Sequence, residues 1–203
     1  MRSFIKSQLW PAVSILLALT VITGLIYPAV VTAVAQVAFP GQANGSMIAV
    51  DGQTVGSSLI GQSFDDPKYF SGRPSAAGTG YDPTLSGGSN LAPTSQALID
   101  RITAQVDALR KANGNAPIPV DLVTTSASGL DPHITLQNAE FQLDRVAAKW
   151  AADLKRDPAA VRGEIAGILR RHTLAPWNGL IGEKLVNVLE VNLELRKQYG
   201  QPS

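Results

Sequence analysis

Between Lys6 and Asp51 the chain has no acidic residue, no basic residue and no histidine. That gap limits the fold more than any motif does. Within it, Val13 to Phe39 reads VSILLALTVITGLIYPAVVTAVAQVAF and is almost wholly apolar. At ~1.5 Å rise per residue, a helix over this run is roughly 40 Å long. The hydrocarbon layer of a bilayer is ~30 Å thick, so the run spans with tilt or with a turn protruding. Pro28 removes a backbone donor and predicts a kink after Tyr27. The alternative is a cleaved leader. Arg2 and Lys6 make a basic start, and Ala33-Val34-Ala35 before Gln36 has the small residues of a cleavage site. A leader's apolar region is usually ~7–15 residues, shorter than this run, which favours a retained anchor. Both readings give one topology. Arg2 and Lys6 precede the segment and the next basic residue is Lys68, so the N-terminus stays inside and the rest lies outside. Small residues four apart, Ser14/Ala18, Thr20/Gly24 and Ala29/Ala33, let another helix approach closely.

These observations divide the chain into residues 1–40, a cytoplasmic N-terminus with a single transmembrane helix, and residues 41–203, one extracytoplasmic α+β domain. The protein is expected to be single-pass in the cytoplasmic (inner) membrane, in contact with membrane lipid. A net charge of +1 with no Lys/Arg cluster excludes a nucleic-acid partner. The absence of cysteine excludes disulfides and thiolate metal sites.

In the outer part, residues 55–64 (VGSSLIGQSF) predict a short strand, and residues 64–90 a long loop whose four aromatics argue against disorder. Leu98, Ile102, Val106 and Leu109 place a helix over Thr94–Asn113, with Gly114 ending it. Thr135 caps a second helix, with Ala139, Leu143, Val146, Ala147, Trp150 and Leu154 on its inner stripe. Asp157-Pro158 opens a third, carrying Val161, Ile165, Ile168 and Leu169. The β-branched run at 120–125 predicts a strand. So does the alternation Leu189, Val191, Leu193, Leu195, although Glu190 and Glu194 also suit a helix.

Chemistry-bearing motifs are sparse. There is no Walker A pattern, HExxH, CxxC or GxSxG. Asp131 and His133, with Ser128 nearby, are the raw material of a hydrolase or metal site, but no third group is nominated. The bland reading of Ser128-Gly-Leu-Asp-Pro-His133 is a tight turn. Arg73, the only arginine between Arg2 and Arg101, is more simply a local brace than an anion clamp. The stretch Thr84-Leu-Ser-Gly-Gly-Ser-Asn90 resembles the signature loop of ABC-type ATPases.

LIGQSF, YFSGRPSA, SGGSNLAP, DLVTTSASGLDPHI and VNVLEVN, in that order after one membrane helix, resemble the C subunit of the Kdp potassium-transporting ATPase over nearly the whole chain. Glu183-Lys184-Leu185 and Thr135 depart from the family's usual residues. The resemblance implies a non-catalytic accessory subunit with no cofactor of its own, ATP and potassium being handled by the assembled complex. Its implied partners are a potassium-binding channel-like subunit, a P-type ATPase subunit and a small membrane peptide. It also implies a catalytic chaperone that raises the ATPase subunit's affinity for ATP, with nucleotide contact at Ser86, Gly87, Gly88 and Ser89. The outer topology opposes direct contact. On this reading the four residues form a glycine turn, Gly87 and Gly88 supplying unusual φ and Asn90 hydrogen-bonding it. Candidate partner contacts are Thr20, Gly24, Arg73, Asn90, Asp131 and His133. The competing functions are a free-standing extracytoplasmic binding protein, released after cleavage at Ala35, and an anchored hydrolase using Ser128, Asp131 and His133.

Overall fold

The computed structural model describes residues 2–114 and 116–200, and the chain divides into two units at Val55/Gly56. In the first, α1 (Arg2–Val21), a π-helical turn (Ile22–Ile26) and α2 (Tyr27–Ala38) follow one another without a break. Ile5–Ala38 is, among the described residues, the one helix long and apolar enough to cross a membrane. The predicted disturbance before Pro28 takes the form of the π turn. Proline offers no N–H to the carbonyl four residues back, and the Tyr27 N–H reaches past Thr23 to Ile22 O. The hydroxyls inside the helix are satisfied within it. Ser14 donates to Trp10 O, Thr20 to Leu16 O and Thr23 to Leu19 O, at 2.7–2.8 Å. A short helix, α3 (Pro40–Ala43), follows. The side chains of Gln36 and Asn44 exchange hydrogen bonds there, and Asn44 Nδ2 donates to Pro40 O at 2.7 Å.

The strands β1 (Met47–Val50) and β2 (Gln53–Ser57) form a two-stranded sheet. Asp51 and Gly52, with φ of +52° and +77°, have the paired positive φ of a tight hairpin turn. The strand expected over 55–64 is therefore corrected. Only residues 55–57 belong to it, and they are the end of β2.

In the second unit, α4 (Gln96–Asn113) matches its expected span, with Gly114 at φ +73° at its end, though its apolar stripe is only half-buried. A single 3-10 turn occupies Val120–Leu122. The strand expected at 120–125 is thus overturned: Val120 is exposed, Thr124 Oγ1 folds back onto Val120 O, and among the described residues no strand pairs with this run. A β-branched run becomes a strand only when another backbone meets it.

The sheet lies elsewhere. It has the order β3-β5-β4 and is antiparallel throughout, from β3 (His133–Thr135), β4 (Thr173–Leu174) and β5 (Leu185–Asn187). Each longer strand runs straight into a capped helix. Thr135 Oγ1 accepts from Asn138 N at the start of α5 (Leu136–Leu154), and Asn187 Oδ1 from Glu190 N at the start of α7 (Val188–Tyr199). Asp157 caps α6 (Pro158–Arg171) in the same way. The predicted stripes of α5 and α6 form the core.

Residues 189–195 are helical, not a strand. The buried residues of α7 are Val188, Leu189, Val191, Asn192, Leu195 and Tyr199, a 3.6-residue stripe. A buried asparagine conceals it in the sequence.

That asparagine explains how the long loop is held. Phe70 N donates to Asn192 Oδ1 (2.9 Å) and Asn192 Nδ2 to Phe70 O (2.8 Å). Ser71 and Gln142 make the same two-way pair, at 2.8 and 3.0 Å. Two side-chain amides, one from α7 and one from α5, thus take the place of a neighbouring strand for an extended segment. They carry Phe70 into the core, where it is 1% exposed. Full burial of such a side chain contributes ~1.5–3 kcal/mol.

Candidate functional site

The two stretches that most distinguish the sequence, Thr84–Asn90 and Ser126–His133, lie against each other. Gly87 N donates to Ser128 O at 2.8 Å, and Ser86 Oγ to the same carbonyl at 3.1 Å. Ser128 Oγ in turn accepts from Leu130 N. Neither Gly87 nor Gly88 is in the left-handed region, so the expectation that they supply unusual φ is corrected. The positive φ belongs to Asn90 (+51°) and Gly129 (+67°). Among the described residues Asn90 contributes this backbone turn and no side-chain hydrogen bond.

The glycine that the packing requires is Gly129. A Cβ there would lie 2.7 Å from Gly87 O and 2.8 Å from Ala77 N. Gly88 also sits close, since its Cβ would be 3.3 Å from Ala127 O, whereas Gly87 has open space.

Arg73, Asp131 and His133 converge beside this contact. Arg73 donates from Nε to Thr124 O (3.3 Å) and from Nη2 to Thr125 O (3.1 Å), and its Nη1 lies 3.9 Å from Asp131 Oδ2. These are the contacts of a brace between loops. Asp131 Oδ1 accepts from the His133 main-chain N–H at 2.9 Å and lies 3.0 Å from His133 Nδ1. The hydrogen bond from the His133 ring holds the Asp131 carboxyl below the usual carboxylate range, with burial opposing. Tyr81 donates its hydroxyl to Arg73 O at 2.6 Å. Burial, with the Asp131 charge adding, pushes that phenol up to about 12. Ser75 Oγ ties the arrangement together: it donates to Gly129 O and accepts from Tyr81 N.

Two depressions flank the cluster. One, of about 360 Å³, runs along β3 and is lined by Arg73, Asp121, Asp131, His133, Thr135 and Glu183 among others. The other, of about 580 Å³, has Leu59, Ile60, Leu130 and Pro132 as apolar walls and Arg73, Ser128, Asp131 and His133 as polar lining. Asp121, which sequence reasoning did not single out, closes the open edge of β3 by accepting from Thr135 N at 2.8 Å. Ser128 shares a depression with the Asp131–His133 pair, but no hydrogen bond joins its hydroxyl to the ring. Among the described residues no group of three metal-ligating side chains occurs. Thr20 and Gly24 lie on the apolar helix, Gly24 with no atom near its absent Cβ.

A small α+β unit packed around α5, α6 and α7, in a chain with one membrane-length helix, is consistent with a membrane-anchored protein. The particular family is plain from relatedness. The family profile described as K+-transporting ATPase, c chain (KdpC), matches residues 9–197, and this chain belongs to that family. It is 47% identical over 198 residues to the potassium-transporting ATPase KdpC subunit of Koribacter versatilis, covering 98% of each chain. It is 50% identical over 192 residues to that of Sorangium cellulosum, covering 93% of this chain and 97% of the relative. With that of Polaromonas naphthalenivorans it shares 49% over 193 residues, 94% of each.

Proposed function

We propose that this chain is an accessory, non-catalytic subunit of an ATP-driven potassium-import complex. It is anchored by Ile5–Ala38 with its N-terminus inside and its folded unit outside the cytoplasmic membrane. Its partners are a potassium-binding channel-like subunit, a P-type ATPase subunit and a small membrane peptide, and it stabilises their assembly. It holds no cofactor of its own. An increase in the ATPase subunit's affinity for ATP is then indirect, transmitted by favouring one state of the partners.

The observation that carries this reading is the engagement of the Leu-Ser-Gly-Gly stretch. The Ser86 hydroxyl and the Gly87 N–H, the groups a phosphate would need, both donate to Ser128 O. Family membership supports the partners and the basic residues before the span support the orientation.

The test is co-purification in mild detergent, with potassium-dependent ATPase measured on what is retained, and calorimetric titration of ATP into the purified full chain. Expected are an active complex that holds this chain and no saturable ATP binding to the chain alone. Binding abolished by Ser86→Ala would overturn the indirect mechanism. A reporter fused after Ser203 that works in the cytoplasm would overturn the orientation.

A further inference from the structure

Near the start of the membrane-length helix one face changes character along its length. Lys6, Leu9, Trp10 and Val13 stand at i, i+3, i+4 and i+7 of α1, positions that an α-helix brings to one side. They line a depression of about 380 Å³. Its walls are open: Leu9 is 55% exposed, Trp10 76% and Val13 44%, and Lys6 is exposed as well.

Two features say what fits there. The first is charge. The Lys6 ammonium carries three donors and no acceptor. Within its own unit, Met1–Val55, the only side-chain carboxylate is Asp51, in the hairpin past the far end of the helix. Arg2, four positions before Lys6, adds a second positive charge. This end of the unit therefore calls for an anion from elsewhere. The second feature is order along the axis. At ~1.5 Å per residue, Lys6 lies roughly 10 Å outward of Val13, where the apolar run begins. The interfacial layer on each side of the hydrocarbon is ~5–8 Å deep. With Val13 at the hydrocarbon edge, Lys6 reaches headgroup level, its stem lying along the apolar wall. Trp10, between them, sits where indole rings concentrate. Charge outermost, amphipathic ring next and apolar wall innermost match the phosphate, ester linkages and acyl chain of a phospholipid. A free anion would leave Leu9 and Val13 bare.

Building on the reading of Ile5–Ala38 as a membrane anchor, we propose that Lys6, Leu9, Trp10 and Val13 form a binding site for one anionic phospholipid. The Lys6 ammonium donates to the phosphate, the Trp10 ring lies at the level of the ester linkages, and an acyl chain runs along Leu9 and Val13. A basic residue near an anionic lipid surface contributes ~1 kcal/mol. The site should therefore prefer an anionic to a zwitterionic phospholipid about fivefold, and the preference should shrink as salt is added.

The experiment reconstitutes the full chain into phosphatidylcholine vesicles and titrates in brominated phosphatidylglycerol or brominated phosphatidylcholine. Quenching of Trp10 is read as the difference between wild type and Trp10→Phe, which removes the signal of Trp150 and Trp177. Expected are stronger quenching by the anionic lipid in wild type and Lys6→Arg, and near parity in Lys6→Gln. Equal quenching by the two lipids in wild type overturns the proposal, and so does a preference that Lys6→Gln leaves intact. If Lys6→Gln fails to insert, the salt response of wild type decides, and an indifferent preference overturns the proposal. Inorganic phosphate, compared with chloride at matched ionic strength, should not relieve the quenching; relief marks a plain anion site and overturns the lipid assignment. Repeated on the reconstituted complex, loss of quenching by both lipids means that a protein covers this face, and the proposal falls. Carbonate extraction separates the two readings. A wild-type chain that washes off the vesicles sinks the anchor and this proposal with it, whereas one that stays and shows no preference sinks the proposal alone.

Discussion

Gly129→Ala is expected to be among the most damaging single-methyl changes in the chain, although Gly129 lies in a loop. Two costs add. The backbone is at φ +67°, where an L residue is disfavoured by ~1–2 kcal/mol. The new Cβ also meets Gly87 O at 2.7 Å, Ala77 N at 2.8 Å and Ala77 Cβ at 2.9 Å. Two of these three atoms are backbone and cannot swing aside, and such overpacking costs typically ~1–3 kcal/mol. The sum is about 2–5 kcal/mol, and at ~2–4 °C per kcal/mol for a chain of this size the melting temperature falls by at least ~4 °C. Gly87→Ala is the internal control. It has open space and no left-handed φ, so it should be neutral or stabilise by up to ~1 kcal/mol through loss of unfolded-state freedom. Gly88→Ala, with its Cβ 3.3 Å from Ala127 O, should fall between. The assay is thermal unfolding of the full chain in detergent, followed by near-UV circular dichroism, to which buried Trp150 contributes. Equal melting for Gly129→Ala and Gly87→Ala, or the reverse order, would refute the reasoning.

Asn192→Leu leaves the N–H and C=O of Phe70 without partners in the core, at ~1–3 kcal/mol for each group stranded. Melting should drop, and the Phe70 amide should exchange with deuterium far faster than in wild type. Gly24→Leu should insert normally yet weaken recovery of partner subunits, because it blocks close approach of another helix; the chain's own structure has room for the side chain. Asp131 has a folded-state pKa below its ordinary value. Its contribution is present above the ordinary carboxylate pKa and lost as pH falls through the folded one, so Asp131→Asn should flatten the acid limb of a stability–pH curve below about pH 4.

The parts of the fold legible in the sequence are those in which one element supplies its own period. The long apolar run, the stripes of α5 and α6, and the caps Thr135 and Asp157 all stand in the structure as expected. What escaped depends on contacts made at a distance. β3 and β5 are three residues each, too short to show alternation, and exist because they pair. The β-branched run at 120–125 found no pairing partner. In α7, Asn192 broke the apolar stripe because its partner is a backbone 122 residues earlier. The β1–β2 hairpin does have a local signal, Asp51-Gly52 between apolar runs. At the site, Arg73 and the Asp131–His133 pair share no sequence signal, and the structure gathers them. Asp121 and Gly129 owe their importance to a strand edge and a loop–loop contact that no spacing rule encodes.

The π turn gives the membrane-length helix a phase shift. Residues of an α-helix step by ~100° about its axis. Because the Tyr27 N–H bonds to Ile22 O rather than to Thr23 O, one residue more than usual is wound into that turn. Positions that would share a face seven apart on an uninterrupted helix are offset by one step when counted across Ile22–Ile26. Restoring regular winding there without deleting a residue would turn every side chain of α2 by ~100° relative to α1 while lengthening the helix by only ~1.5 Å. Hydropathy would scarcely register the change, but any neighbour fitted to both halves would meet the wrong face on one of them.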